Sequence, residues 1–333
     1  LAVAAIGYAG SDLESLASRV HKGYAIFFTV CLYLTIGPAF AIPRTATTSY
    51  AIGIAPFFGE SMQQTALYAF AFIFFVISWW LSISPSKLVN RIGKIITPAL
   101  LLFLAILFIT ATLFPMGSWQ EAQAAYQPSI KALTQGFLDG YNTMDALAGF
   151  VFGIIVVNAV RQYGATSNEE VASHTLKSGL IAGVCLAVIY IFLSFIGACS
   201  VEKLGLMKNG ADILVGVIVL LACLTTSVGL ITACGEYFKK LIPALSYRAW
   251  VTVFSVISFG IALFGLTTII TAAIPVLMFL YPLTISLIFL TFGDHLFGGK
   301  RSVYACATLC TLIPALYDGC HTAGLSLGVL DGL

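Results

Sequence analysis

The feature that most constrains this chain is a series of apolar segments, each long enough to cross a lipid bilayer. A helix needs about 20 apolar residues to cross a hydrocarbon core about 30 Å thick. Residues 1–9 match the end of such a segment, and the complete candidates are residues 24–42, 65–83, 95–115, 145–160, 178–199, 213–234, 250–266, 268–292 and 304–316. Charged residues make up only 9% of the chain, whereas a soluble domain carries about a quarter. The sequence therefore predicts an all-α polytopic membrane protein with one transmembrane domain, residues 1–333.

Positive charge is distributed unevenly among the connections and predicts their sidedness. Most of the 16 Lys and Arg residues fall in alternate connections, and the connections between them hold only Lys131, Lys203 and Lys208. Cytoplasmic connections carry the excess of Lys and Arg, so the basic connections are predicted to be cytoplasmic. Residues 145–160 would then run from outside to inside. The long connection of residues 116–139 would form a partly ordered external cap.

The first interruption of the helical pattern is LTIGPAFAIPRTATTSY, residues 34–50. Pro38 and Pro43 each remove a backbone donor and clash with the preceding turn. The carbonyls that they free must find partners in protein or in a cavity. An alternative is a helix that ends at the prolines, followed by a polar external turn in which Arg44 extends toward the membrane surface.

The second interruption is YNTMDALAGFVFGIIVVNAVRQY, residues 141–163. Asp145 is an acid at the edge of an apolar segment, where a charge usually faces a cavity or a partner. Gly149 and Gly153 leave two interpretations open. The helix could be discontinuous, with free backbone groups lining a mid-membrane site. It could instead be continuous, with the two glycines forming a close contact with another helix.

The third feature is LACLTTS, residues 221–227. Ala222, Thr225 and Thr226 have the i, i+3, i+4 spacing that places residues on one helix face. One carbonyl and two hydroxyls are the oxygen ligands that a hard cation prefers. The alternative is that the hydroxyls bond back to a carbonyl of their own helix.

Motifs of hydrolases, kinases and nucleotide-dependent pumps do not occur in the sequence. Asp145 has no second carboxylate or histidine at the same predicted depth, as general acid–base chemistry would need. No basic patch indicates nucleic acid. We therefore predict that the chain is not an enzyme, has no catalytic residue and needs no cofactor.

Four stretches together resemble the bacterial branched-chain amino acid carriers of the BrnQ type: SDLESLASRVH (11–21), LYLTIGPAFAIPRTATTSYAIGIAP (32–56), YNTMDALAGFVFGIIVVNAVR (141–161) and LACLTTSVGLITACGEYF (221–238). The resemblance covers nearly the whole chain. It implies a secondary active symporter that imports leucine, isoleucine and valine across the bacterial inner membrane by alternating access. It also implies the LeuT-like inverted-repeat transporter bundle of the amino acid–polyamine–organocation superfamily.

On the plan of that superfamily, residues 1–115 would be the remainder of the first repeat, helices 2–5. Residues 141–292 would be the second repeat, helices 6–10, and residues 302–333 would hold helix 11 and a following segment. We expect helix 1, and also helix 12, to be missing from this chain. A fragment without helix 1 is expected not to transport.

The resemblance also implies a set of site residues. Substrate would contact helices 3 and 6 through Ile36, Gly37, Phe40, Thr143, Asp145, Gly149, Phe150 and Gly153. Ala222, Thr225 and Thr226 on helix 8 would hold the coupling cation, Na⁺, with H⁺ as the alternative. The rival hypothesis is a channel or an amino-acid-sensing membrane protein without coupled transport.

Overall fold

The computed structural model describes residues 2–9, 13–84, 94, 96–113, 127, 129–200 and 210–325. Regular secondary structure within these ranges is helical, and they contain no strand. The α-helices are α1 Ala2–Ala9, α2 Leu13–Ala17, α3 Lys22–Leu34, α4 Ala41–Gly53, α5 Gln63–Ser82, α6 Thr97–Leu113, α7 Ser129–Asn142, α8 Asp145–Gln162, α9 Asn168–Ser200, α10 Gly210–Leu241, α11 Tyr247–Ala262, α12 Leu266–Phe292, α13 Asp294–Phe297 and α14 Arg301–Thr322. A π-helical turn spans Thr35–Ala39, and short 3₁₀ turns span Ala55–Phe57 and Glu60–Met62.

Each complete segment predicted from hydropathy overlaps one of these helices. Within the described ranges, seven helical segments are long and apolar enough to cross a membrane, and α6 and α11 are shorter apolar helices. The outward faces of the apolar helices are also apolar. On α9, for example, Leu180 and Ile191 are each 69% exposed. Water would oppose exposure of such a surface, whereas lipid accepts it. The chain is a multi-pass membrane protein.

The helices assemble into two compact units. The first unit comprises Leu1–Gly37, Thr134–Ala182 and Ile270–Leu333, and the second comprises Pro38–Leu133 and Gly183–Ile269. Each unit draws segments from both predicted repeats. The two predicted repeats, residues 1–115 and 141–292, divide the chain by sequence position and do not coincide with these units. The division into repeats remains a prediction.

In the first unit, α1 and α8 run parallel at very short distance. A Cβ atom placed on Gly149 would lie 3.1 Å from the Cβ of Ala2, and one on Gly153 would lie 3.0 Å from a side-chain carbon of Ile6. The contact advances along both helices in the same direction, four residues at a time, which is one turn of each. Glycine at these positions therefore allows side chains of α1 to pack directly against the backbone of α8.

In the second unit, α5 and α11 run antiparallel. Near the C-terminus of α5, the Tyr247 hydroxyl donates to the Ser82 carbonyl at 2.7 Å. One turn away, the Trp79 indole N–H donates to the Thr252 hydroxyl at 2.9 Å. Helix α10 packs against α4, α5, α6 and α11, so it forms the centre of this unit.

Two contacts, each within a single unit, agree with the membrane sidedness predicted from the distribution of Lys and Arg. The Arg19 guanidinium lies 3.0 Å from an Asp294 carboxylate oxygen, which places the end of α2 beside the connection that leads to α14. The Tyr247–Ser82 contact likewise joins the connections that follow α5 and α10. Each contact joins two connections predicted to be cytoplasmic. The assignment of that side to the cytoplasm itself stays a prediction.

The predicted external cap is helical in the part that the structure describes. Helix α7 begins at Ser129 and occupies the second half of the long connection. Residues 116–126 lie outside the described residues. The helix is amphipathic, since Ile130, Leu133 and Phe137 recur along it and are all exposed.

Candidate functional site

The helical path is broken immediately before α8. Helix α7 ends at Asn142 and α8 begins at Asp145, leaving Thr143 and Met144 between them. Met144 has a φ of 62°, the left-handed conformation, which is uncommon for a residue other than glycine. The Thr143 hydroxyl donates to the Gly140 carbonyl at 2.7 Å and accepts from the Asp145 amide at 3.5 Å. The discontinuity thus lies between Thr143 and Asp145, at the start of the predicted region.

Helix α8 is continuous through the two glycines that were expected to bracket the break. Gly149 and Gly153 instead face α1, where no room remains for a side chain. The packing interpretation therefore describes these two positions, and the observed break lies N-terminal to both glycines, beside Thr143 and Asp145. Whether they also contact substrate stays a prediction. Phe150, between them, is buried.

Thr143 and Asp145 are exposed at the break. Asp145 lies in the first turn of α8, where the helix dipole favours a negative charge. The break also leaves backbone amides of the first turn of α8 without partners from within the helix. Polar side chains and polar backbone groups therefore meet at this point.

The second break lies between α3 and α4. Gly37 departs from helical geometry, with φ −85° and ψ −124°, inside the π-helical turn that follows α3. Such turns are frequent at functional sites. Ile36 and Gly37 are buried, and Phe40, which precedes α4, is half-buried. The predicted substrate residues on helix 3 therefore flank an observed interruption of the helix.

The alternative of a polar external turn after the prolines is wrong. Pro43 falls in the first turn of α4, where a missing N–H costs little because it has no acceptor within the helix. The hydroxyl-rich run that follows continues as helix. Thr45, Thr47 and Ser49 are buried and donate to carbonyls of α4 itself. A buried helix face thus stands where the alternative expected a surface turn.

The buried face of α4 packs along α10. A Cβ atom on Gly216 would lie 2.8 Å from the Cα of Gly53, so the two backbones are in direct contact. Farther along α10, the Cys223 side chain lies close to Ser49 and within the electrostatic influence of Arg44. This polar contact lies one residue from Ala222.

The three predicted cation ligands share one turn of α10. The Thr225 and Thr226 hydroxyls donate to the Ala222 carbonyl at 2.8 and 2.9 Å. The predicted common face is therefore present, and so are the bonds back to the helix that formed the alternative. Each hydroxyl oxygen retains lone pairs after donating its proton, so these bonds do not prevent it from accepting a cation.

The predicted residues are divided between the two units. Ile36, Gly37 and the residues of the α8 region belong to the first unit, and Phe40 with the three α10 residues belongs to the second. The structure brings Thr143 and Asp145 together at one break, and the three α10 residues together on one turn. It assigns neither group a ligand. Within the described residues, no three His, Cys, Asp or Glu side chains form a metal-binding cluster.

Two features of the site escaped sequence reasoning. Met144 carries the left-handed turn, and no residue-type signal marks it, because glycine or asparagine would be expected there. The Ser49–Cys223 contact was also missed. Thr45 and Ser49 have the i, i+4 spacing of a helix face, which was a usable signal that the two prolines obscured.

Comparison with known proteins gives a consistent result. The family model for branched-chain amino acid transport proteins matches residues 1–333. The chain is 42% identical to the branched-chain amino acid permease BraB of Bacillus subtilis, over 99% of this chain and 77% of that protein. Identity to the permease BrnQ of the same organism is 43%, over 99% of this chain and 78% of BrnQ.

A third relative is the branched-chain amino acid transport system 2 carrier protein of Pseudomonas aeruginosa, 38% identical over 99% of this chain and 78% of the relative. No solved structure matches the chain. These relatives are named as permeases or carriers and not as enzymes. The chain belongs to the family of branched-chain amino acid transport proteins.

Proposed function

We propose that the protein is a secondary active symporter that imports leucine, isoleucine and valine through the bacterial inner membrane, driven by a Na⁺ gradient. The observation that carries the proposal is the match along nearly the whole chain to permeases named for branched-chain amino acids. The fold proposed for it is the LeuT-like inverted-repeat bundle. The helix break at Thr143–Met144, at the start of the segment assigned to helix 6, supports that fold because discontinuous helices form the mid-membrane sites of such transporters.

The substrate would be a zwitterion with an aliphatic side chain. Backbone groups freed at the breaks would meet its charged ends, since half-helix ends favour opposite charge. The buried side chains of Ile36 and Phe150 would supply apolar surface for its methyl groups. Each methylene in such a pocket contributes about 0.8 kcal/mol. The pocket would therefore prefer leucine, isoleucine and valine to alanine and separate the three only weakly.

The coupling cation would bind at the turn of α10 that holds Ala222, Thr225 and Thr226. Hydroxyl and carbonyl oxygens suit Na⁺, which is a hard cation. Binding of the cation and the substrate would couple transport if each stabilises the same conformer. The positive charge of Arg44 lies near Cys223, and like charges repel. Coupling to Na⁺ is therefore tested directly against coupling to H⁺.

Uptake of labelled leucine by the full-length protein in proteoliposomes tests the proposal. A Na⁺ gradient is expected to drive accumulation above the external concentration, and a pH gradient alone is not. Unlabelled isoleucine and valine should compete, and alanine should not. Equilibration without accumulation would favour a channel or a sensor over a symporter.

The cation site is tested by Thr225→Ala combined with Thr226→Ala. This variant should lower the apparent Na⁺ affinity of uptake by about tenfold, because two of three oxygen ligands are lost, roughly 0.7 kcal/mol each. Thr110→Ala combined with Thr112→Ala is the matched control. Those hydroxyls make the same bonds to their own helix, α6, at about the same distances. Equal Na⁺ dependence in both variants would show that the cation binds elsewhere.

A further inference from the structure

An open apolar groove runs along the surface of the second unit between α5 and α11. Its volume is about 200 Å³. Phe72 and Phe259 meet edge to face at one end, with ring centroids 6.0 Å apart, and Trp79 and Thr252 form a hydrogen bond at the other. The seven residue steps from Phe72 to Trp79 rise about 10 Å along α5. The groove therefore extends through most of one leaflet, about 15 Å deep.

The groove is suited to an apolar occupant. Val76 and Val256 line it and are 45% and 63% exposed. Its few polar groups are already satisfied: the Thr252 hydroxyl donates to the Arg248 carbonyl, and the Ser255 hydroxyl donates to the Val251 carbonyl. An amino acid zwitterion would find no partner for its ammonium group among the residues that line the groove, whereas a hydrocarbon chain would leave no polar group unpaired.

One end of the groove is positively charged. Arg248 lies one turn before Thr252 on α11, so its position continues the line of groove residues. It is exposed, and within the described residues it forms no ion pair. Trp79 lies at the same end, and tryptophan is enriched where a membrane meets water. The distribution of charge along the chain assigns this end to the cytoplasmic side.

We propose that this groove is a binding site for an anionic phospholipid of the cytoplasmic leaflet. One acyl chain lies along the groove from Trp79 toward Phe72, and the phosphate of the head group pairs with Arg248. Charge complementarity selects an anionic lipid over a zwitterionic one. None of the residues that line the groove belongs to the proposed transport site, so lipid binding is measured without transport and stands or falls independently of the symport mechanism.

The test uses the full-length protein, purified from membranes that contain equal amounts of phosphatidylglycerol and phosphatidylcholine, with bound lipid measured by native mass spectrometry. We expect the wild type to retain phosphatidylglycerol in preference. Arg248→Gln should reduce that preference about fivefold, the effect of one basic residue near an anionic lipid surface. Val256→Phe should fill the groove and reduce retention of both lipids.

Two matched variants serve as controls. Arg301→Gln removes an exposed arginine from α14, in the other unit, and should leave the lipid preference unchanged. Val253→Phe adds the same bulk to an exposed position of α11 that does not line the groove. A phosphatidylglycerol with a photoreactive acyl chain should label α5 and α11 in the wild type and not in Val256→Phe.

Several results would overturn the proposal. One is equal retention of the two lipids by the wild type. A second is an equal loss of lipid preference in Arg248→Gln and in Arg301→Gln. A third is photolabelling confined to helices other than α5 and α11. If Val256→Phe left lipid retention intact and reduced a dimer seen by mass spectrometry, a second copy of the chain would occupy the groove instead. Absence of both lipid and dimer would mean that another segment of the protein covers it.

Discussion

Single glycines set the distance between helices in both units, and their effects can be measured one residue at a time. Gly153 faces Ile6, a fully buried side chain, at a distance that leaves no space for a methyl group. Gly183, on α9, has nothing within 4 Å of the position that a Cβ atom would take. The same substitution should therefore have opposite consequences at the two sites.

We predict that Gly153→Ala lowers the stability of the full-length protein by about 1–3 kcal/mol, the usual cost of overpacking a tight contact. The readout is the apparent midpoint of thermal unfolding in detergent. Gly183→Ala, the control, should leave the midpoint unchanged or raise it, since alanine favours helix over glycine. Equal midpoints for the two variants would argue against the close contact between α1 and α8.

At the scale of helices, the pairing of α4 with α10 organises the second unit. The contact at one end of this pair joins two backbones, because a Cβ atom on Gly216 would meet the Cα of Gly53. A side chain can rotate away from a new methyl group, but a backbone atom cannot move without shifting its helix. The α4–α10 contact should therefore be less tolerant than the α1–α8 contact.

We predict that Gly216→Ala destabilises the protein more than Gly153→Ala does, by about 3 kcal/mol or more. It should also impair leucine uptake at normal expression, because it displaces α4 beside the proposed cation site. Gly260→Ala, on α11 with open space around it, is the control within the same unit. A Gly216→Ala variant with normal uptake and stability would contradict the backbone contact.

The first unit is assembled from segments that are far apart in the chain, and one polar cluster joins them at the end that the charge distribution predicts to be cytoplasmic. Arg19 donates to Asp294 at 3.0 Å and to the Tyr304 hydroxyl at 3.2 Å, and Tyr304 donates to Asp294 at 3.1 Å. Burial lowers the pKa of Arg19, but its interactions with Tyr304 and with the negative charge of Asp294 outweigh burial and raise that pKa. The guanidinium therefore stays charged.

A double-mutant cycle measures this cluster. Arg19→Gln and Asp294→Asn should show a coupling free energy of about 1 kcal/mol in thermal or denaturant unfolding, as expected for a partly buried, hydrogen-bonded ion pair. Arg161→Gln combined with Asp294→Asn is the control cycle and should be additive, because Arg161 is exposed on another helix. Additivity in both cycles would mean that the Arg19–Asp294 contact contributes nothing to stability.

Hydropathy along the sequence was enough to identify the membrane helices. Some boundaries agree within a few residues, as for residues 65–83 and α5, whereas α9 begins ten residues before the predicted residue 178 and α10 ends seven residues after residue 234. This succeeded because a helix in lipid satisfies its own backbone hydrogen bonds, so its presence depends on local composition. The one-turn grouping of Ala222, Thr225 and Thr226 was predictable for the same reason, since helical spacing is local. The family was recognisable from residues along nearly the whole chain.

Only the tertiary structure decided what each helix face touches. The break before α8 lies at Met144 and not at Gly149 or Gly153, because the glycines are occupied by contact with α1. The hydroxyl run of α4 is buried because α10 covers it. Arg19 and Asp294, 275 residues apart in sequence, meet through packing that no local pattern records. Composition determines which segments enter the membrane, and the pairing of distant faces determines where the chain bends and which residues remain open to a ligand.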